Sequence, residues 1–387
     1  MPADPLRVLF VNTGILGHRS VARLVREAIA TAPGIEATHL DLAEGLTTGD
    51  RVLRRLLTLG PRPGTAAGAM TSARFRHELD AGVRAARRIA ALERRGVRFG
   101  AIHFHTQAAA WGSLRRMRQT PSIVSIDITQ RLASLEVPLG PVRRDYAAPA
   151  ARDRRVFRAA AAIVATSRWA ADDLVADLPE AAGKVHVMPY PVPLDGFGAE
   201  WAGERRARAA DGPVRVLFVG GDFARKGGEE LLAAWRACGF GGGARLTLVS
   251  DAEVGALPPG VEQRRGVRAY TPPWFQAWRE ADLFAMPTRG EAFGMVYQEA
   301  AAASLPAIGS ALNAIPEIVV DGETGLLVPP GDVSALAGAL RRLVESPELR
   351  WAMGMAARRR IEATGSIAAY GERLAEVIRA AAGAAHG

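Results

Sequence analysis

The chain alternates between short apolar runs and longer stretches with helical spacing, and it does so twice, on either side of a proline-rich break. In the first half, Arg7 to Val11, Phe99 to Phe104, Ser122 to Ile126 and Ala161 to Thr166 read as strands buried on both faces. Between them, Ser20 to Ala30 and residues 72–95 have helical spacing, and in the second of these Phe75, Leu79, Val83, Ala86 and Ala90 share one face among arginines. Met188-Pro-Tyr-Pro-Val-Pro-Leu-Asp-Gly196 then places three prolines within five residues, a stiff extended connector, and a polar stretch follows to Gly212. A second strand series begins at Arg215 to Val219 and continues through Arg245 to Val249, Asp282 to Met286 and Ala307 to Ile308. Such alternation requires parallel sheets covered by helices, because parallel neighbours need a crossover. The expected fold class is α/β, with two Rossmann-like, doubly wound parallel-sheet domains: residues 1–190, a linker over 191–212, and residues 213–365.

At 387 residues, 49% of them hydrophobic, the chain is long enough for two cores. Its one cysteine, Cys238, allows no intrachain disulfide and fits a reducing compartment, so a cytoplasmic location is expected. Cys238 stands before Gly239 near the end of a helical pattern and reads as packing. The apolar run Val8 to Val11 is too short for a signal peptide, and no run reaches the roughly 20 apolar residues of a transmembrane helix. Charge is uneven: residues 1–200 hold 28 Lys and Arg against 19 Asp and Glu, whereas residues 201–387 hold 21 of each. The first half should therefore attract an anion, such as an acidic lipid headgroup or a phosphorylated acceptor. Nucleic acid is not expected as a partner, since the arginine runs lack interleaved aromatics and the second half is neutral. Arg51-Val-Leu-Arg-Arg-Leu-Leu-Thr-Leu59 can form a helix with basic and apolar faces, serving either core packing or peripheral contact with anionic lipid at the inner membrane surface.

Chemistry concentrates in Pro287-Thr-Arg-Gly-Glu-Ala-Phe-Gly-Met-Val-Tyr-Gln-Glu299. Gly290 and Gly294 punctuate the approach, Met295 to Ser304 is rich in helix formers, and Pro306 ends the run. Glu291 thus falls in the loop and Glu299 about one and a half turns into the helix, whose alanines 300–303 suit close packing on a sheet. Carboxylates accept hydrogen bonds from sugar hydroxyls and helix N-termini hold anions, so the segment suits a molecule that is part sugar and part phosphate. The plain alternative is a solvated loop carboxylate and an exposed helix glutamate. Gly220-Gly-Asp-Phe-Ala-Arg-Lys-Gly-Gly228 follows a strand and opens a helix, with Arg225 and Lys226 as cations; it is either a phosphate cradle or an ordinary glycine-rich turn. Lys226 is one of only two lysines, with Lys184. Asn12-Thr-Gly-Ile-Leu-Gly-His18 lacks the third glycine of a dinucleotide fingerprint, which argues against a nicotinamide dehydrogenase. His103 and His105 end a strand on one shared face, which leaves three readings: packing, an active-site imidazole, or a zinc site lacking a third ligand of recognisable spacing. Asp127 either binds an acceptor or caps a loop. Asp251-Ala-Glu253 has no context matching a metal-binding Asp-x-Asp, and neither a metal nor another cofactor is expected.

Taken in order, Val216 to Gly228, Pro287 to Glu299, Leu305-Pro-Ala-Ile-Gly-Ser310, Ile315-Pro-Glu-Ile-Val319 and Asp321-Gly-Glu-Thr-Gly-Leu-Leu-Val-Pro-Pro-Gly-Asp332 resemble the donor-binding half of retaining glycosyltransferases of family 4, the glycosyl transferases group 1. The resemblance implies the GT-B architecture, two such domains facing a cleft, with a last helical segment within 366–387 crossing back onto the first domain. It implies a nucleotide-diphosphate sugar donor, metal-independent transfer of a hexosyl group, and a glycan, lipid-linked or small-molecule acceptor. Retention in that family proceeds by front-side attack, with a leaving-phosphate oxygen helping to take the acceptor proton. Lys226 matches the family's diphosphate-binding lysine, while Gly221 stands where an arginine is expected, so that Arg225 is the nearest replacement. Glu291 would orient the sugar and Glu299 would bind ribose hydroxyls. Gly220, Phe293, Gly294, Met295 and Val296 belong to the donor site, Arg268 and Tyr270 to the nucleobase pocket. Gly14 and Gly17 fall in the first domain's glycine loop, which in the family faces the donor phosphates and acceptor, and count with the donor-binding residues; His18 and Asp127 are on the acceptor side, and His105 matches a histidine that reaches the reacting sugar. Asn313-Ala314 replaces a usual Gly-Gly, which leaves the donor sugar open. The alternatives are a nucleotide-sugar epimerase of the same fold and a non-catalytic nucleotide-sugar-binding protein.

Overall fold

The computed structural model describes residues 4–14, 18–58, 66–135, 146–208 and 212–384. They form two compact units, Met1–Tyr190 with Ile367–Gly387, and Pro191–Ser366.

The first unit contains β1 (Leu6–Asn12), β2 (Ile35–Asp41), β3 (Ala101–Phe104), β4 (Ser122–Ile126), β5 (Ala162–Ala165) and β6 (Val185–Val187) in the order β2-β1-β3-β4-β5-β6. Each neighbouring pair is parallel. Val8, Leu9, Phe10 and Val11 are wholly buried, as befits a strand with partners on both sides and cover on both faces. The edge strands β2 and β6 are only partly buried, and their mixed polarity hid them from a search for continuous apolar runs. The C-terminal helix Ile367–Gly383 packs on the helix His18–Ala30 within this unit. Their backbones approach so closely at Gly371 that a Cβ there would lie 2.1 Å from the Ala28 carbonyl oxygen. The helix Thr48–Thr58 opens with a reciprocal cap, in which the Thr47 N–H donates to Asp50 Oδ2 and the Asp50 N–H to Thr47 Oγ1, both at 3.1 Å. Leu59, the last residue of the basic amphipathic segment, lies outside the described residues. Among the described residues no helix is long and apolar enough to cross a membrane.

The second unit contains β7 (Val214–Val219), β8 (Ala244–Val249), β9 (Val261–Arg264), β10 (Leu283–Met286), β11 (Ala307–Ser310) and β12 (Gly325–Val328), ordered β12-β11-β10-β7-β8-β9 and again all parallel. The stretch read from sequence as a linker begins inside this unit. Phe197 and Trp201 are buried in its core, Phe197 edge-on to Trp274 at 5.7 Å, and Arg358 Nη1 donates to the Phe197 carbonyl at 3.0 Å. The neighbouring charges of the helix Trp201–Arg208 masked those aromatics in a reading by composition. Ala300, Ala302 and Ala303 are fully buried, so the short side chains bring the helix Met295–Ala302 close to the sheet.

The strand order has a consequence for function. Successive strands spread one way from β7 through β8 to β9 and the other way from β10 through β11 to β12. The direction reverses between β7 and β10, which opens a crevice beyond their carboxyl ends, the usual place for a ligand in such sheets. In the first unit the reversal falls between β1 and β3.

Candidate active site

The two loops that leave β7 and β10 meet at that reversal point. Gly220 to Gly227 follows β7, and Pro287 to Gly294 follows β10. Bonds to backbone join them: the Arg289 N–H donates to the Arg225 carbonyl at 2.8 Å, Thr288 Oγ1 donates to the same carbonyl at 3.0 Å, and Arg225 Nη1 donates to the Gly290 carbonyl at 2.5 Å. Lys226 Nζ donates to Glu291 Oε2, and the side chains of this ion pair are only 15% and 14% exposed. A lysine and a glutamate 65 positions apart in sequence are thus paired in a largely dry setting, where leaving either charge alone is costly.

Backbone geometry explains why these loops need their glycines. Gly227 caps the helix Gly228–Cys238 at φ +76°, and a Cβ there would stand 1.9 Å from the Pro287 carbonyl oxygen. Gly294 caps the helix Met295–Ala302 at φ +92°, against the Tyr297 ring, whose hydroxyl donates to the Met286 carbonyl at 2.6 Å. Both positions combine a left-handed backbone with a close neighbour, a setting that glycine fits. Asn313 occupies a similar left-handed conformation at φ +52°, which asparagine tolerates, and its Nδ2 donates to the Glu291 carbonyl at 2.9 Å. The substitution of the usual glycine therefore adds a tie to the loop that holds Glu291.

Glu299 is buried, 5% exposed, and Tyr270 Oη donates to its Oε1 at 2.7 Å. Tyr270 itself has φ +63° and packs on Trp274 at 4.8 Å between centroids. Sequence reasoning had no signal for this contact, since nothing in the spacing couples a tyrosine to a glutamate 29 residues on. Met295 and Val296 form the first turn of the helix and Phe293 is buried beside it. Gly220 packs against the Lys226 stem, 3.1 Å from an imagined Cβ to Lys226 Cγ, while Gly221 faces open space, so the arginine usual in the family would fit there. Arg225 is held within its own loop, Nε donating to Asp222 Oδ2 at 3.0 Å as well as Nη1 to Gly290. Arg268 is exposed, and its carbonyl accepts from Thr271 Oγ1 at 2.7 Å.

In the first unit the candidates also follow strand ends. Gly14 comes after β1, where a Cβ would be 2.5 Å from Ala43 Cβ, His105 after β3, and Asp127 after β4. His18 begins a helix; Gly17 lies outside the described residues. His105 is 1% exposed and its ring lies 6.0 Å from that of Tyr190. Burial, and secondarily Asp127 and Tyr370, pushes the Tyr190 hydroxyl well above the ordinary tyrosine range. His103 is wholly buried with Nε2 2.8 Å from Ser125 Oγ, and burial, helped by His39, lowers its pKa to about 3. Because His103 stays neutral in the folded protein while the unfolded chain takes up a proton near pH 6.5, stability is complete above that pH and falls as pH drops toward 3. The expected loss is about 1.4 kcal/mol per pH unit from this residue. Urea unfolding at pH 7 and pH 5 checks it, and His103→Gln should shrink the difference.

Comparison with known proteins places this arrangement. The family described as Glycosyltransferase Family 4 matches residues 34–195, and the one described as Glycosyl transferases group 1 matches residues 213–346. A D-inositol 3-phosphate glycosyltransferase of Xylanimonas cellulosilytica is 31% identical over 228 residues, 53% of this chain and 54% of that one. An alpha-D-kanosaminyltransferase of Streptomyces kanamyceticus is 29% identical over 287 residues, 69% of this chain and 72% of that one. The alignments to the inositol-phosphate enzymes of Xylanimonas and Streptomyces avermitilis span about half the length of those relatives. Among solved structures, the sucrose-phosphate synthase of Thermosynechococcus elongatus has a TM-score of 0.71 at 19% identity, covering 97% of this chain and 98% of that one. Anabaena HepE in complex with UDP-glucose has a TM-score of 0.67 at 15% identity, covering 97% and 100%. With two parallel six-stranded sheets, these structural likenesses and both family matches in register with its two halves, the chain has the GT-B fold and belongs to the group 1, family 4 glycosyltransferases.

Proposed function

We propose that the protein is a retaining glycosyltransferase that moves a hexosyl group from a nucleotide-diphosphate donor held by the second unit to an acceptor bound by the first. The observation that carries this reading is the meeting of Lys226 and Glu291 at the strand reversal, with Glu299 buried in the second turn of the helix that follows the Glu291 loop. As the bond from the sugar's anomeric carbon to phosphate breaks, negative charge grows on the leaving diphosphate. Lys226 and the N–H groups of the first turn after Gly294 are suited to stabilise it, since fixed donors in a dry site need no reorganisation. Glu291 orients the sugar, and Glu299, steadied by Tyr270, accepts from the ribose hydroxyls. The acceptor oxygen bonds to the anomeric carbon on the face the phosphate leaves, and its proton passes to a phosphate oxygen. No protein nucleophile is required. His105 and Asp127 serve the sugar and acceptor side.

Two facts bear on the partners. One relative is named for D-inositol 3-phosphate, and the excess positive charge of this chain lies wholly in residues 1–200, which fits an anionic acceptor. HepE was solved with UDP-glucose, which makes uridine-diphosphate sugars the first donors to try. The test is thermal unfolding against a panel of nucleotide sugars, followed by analysis of products. At least one compound should raise the midpoint in proportion to its occupancy and be converted to nucleoside diphosphate, with any released sugar in the donor's anomeric form. A panel without either stabilisation or turnover overturns the proposal.

A further inference from the structure

Two ion pairs of opposite sense join the same two segments of the second unit. Lys226, at the end of the β7 loop, donates to Glu291 of the β10 loop. Arg289 of the β10 loop donates through Nη2 to Oε1 of Glu230, in the helix Gly228–Cys238 that the β7 loop opens. The donor site accounts for the first pair and leaves the second without a role.

Glu230 stands in the first turn of its helix. An acid there suits the helix dipole, but Glu229, which is exposed, already supplies one. Glu230 is buried, 6% exposed, and its Oε2 accepts no hydrogen bond among the described residues. A buried ion pair with an unsatisfied oxygen adds little net stability, and a neutral side chain of the same size would fill the space at lower cost. What the carboxylate does supply is a fixed point for Arg289, whose side chain is 62% exposed and would otherwise be free among its rotamers. The backbone bonds described above all involve Arg225, inside the glycine-rich loop. The Arg289–Glu230 pair ties the Pro287–Gly294 loop to the helix instead.

We propose that Glu230 and Arg289 are positioning residues, which keep the Glu291 loop docked while Lys226 and Glu291 change partners. This rests on the transferase reading. A donor draws Lys226 to its diphosphate and Glu291 to its sugar hydroxyls, so the pair between them opens when the reaction needs both side chains in place. The second pair needs no contact with substrate and persists through that exchange.

The test uses Glu230→Gln, which keeps the shape and removes the charge, Arg289→Met, and the double variant. In the protein without ligand, amide hydrogen exchange across residues 288–290 should quicken about tenfold in each single variant and no further in the double one, while exchange in β7 and β10 stays unchanged. With a donor that the wild type converts, kcat should fall about 10–100-fold and KM change by less than about threefold, because a misplaced Glu291 spoils the reacting geometry more than nucleotide binding. Arg289→Lys should restore most of the rate. Side chains that only stabilised the unit would quicken exchange in β7 and β10 as well and leave the kcat of the folded enzyme unchanged. Unchanged exchange across the loop, effects that add in the double variant, or wild-type kcat in both single variants overturns the inference. The exchange arm needs no donor: if it succeeds while no nucleotide sugar is turned over, the transferase reading fails and the hold on the loop stands.

Discussion

On the proposed mechanism, alanine in place of Lys226 is expected to lower kcat for nucleoside-diphosphate release by about 10²–10³, or roughly 3–4 kcal/mol of transition-state stabilisation. The size follows from the setting. The ammonium is 15% exposed at the carboxyl end of β7, and a charge fixed there acts on a developing anion with little screening by water. The substitution also strands Glu291, 14% exposed and deprived of its counter-ion, so the variant loses stability as well. The double variant Lys226→Ala, Glu291→Gln removes the stranded carboxylate and should recover the unfolding midpoint, which checks the stability part of the loss by itself. Near wild-type turnover in the single variant would remove Lys226 from the mechanism.

Gly227→Ala is expected to cost on the order of 2–5 kcal/mol of unfolding free energy in the second unit. Part of that is the left-handed backbone at φ +76°; the larger part is the methyl group, which would sit 1.9 Å from the Pro287 carbonyl oxygen and force the two loops apart. Gly239→Ala is the control. It has a similar φ, +60°, but no atom within 4 Å of the added methyl, so only the backbone penalty of about 1–2 kcal/mol remains. Chemical denaturation of the two variants side by side measures the difference. Equal losses would show that the contact between the β7 and β10 loops is not what requires glycine at 227.

What the sequence disclosed follows from the physics of each element. Strands such as β1 and β10 lie inside parallel sheets, covered on both faces, so they appear as uninterrupted apolar runs. β2, at an edge, alternates Ile35, Ala37 and His39 with more exposed residues, and β9 reads Val-Glu-Gln-Arg; neither announces itself. The segments that carry Lys226 and Glu291 were visible because tight turns before helices demand glycine. The pairing of those two side chains was not visible, because it depends on β7 and β10 becoming neighbours although β8 and β9 lie between them in the chain. The Tyr270–Glu299 bond and the Arg289–Glu230 pair were hidden for the same reason: burial and partner choice are products of packing and leave no local pattern.

The helix Ile367–Gly383 completes the first unit with residues that come after the whole of the second. On the ribosome the second unit can therefore finish folding while the first still lacks a piece of its surface. Until that helix emerges, the part of His18–Ala30 around Ala28 that later meets Gly371 is bare, open to water or to a chaperone.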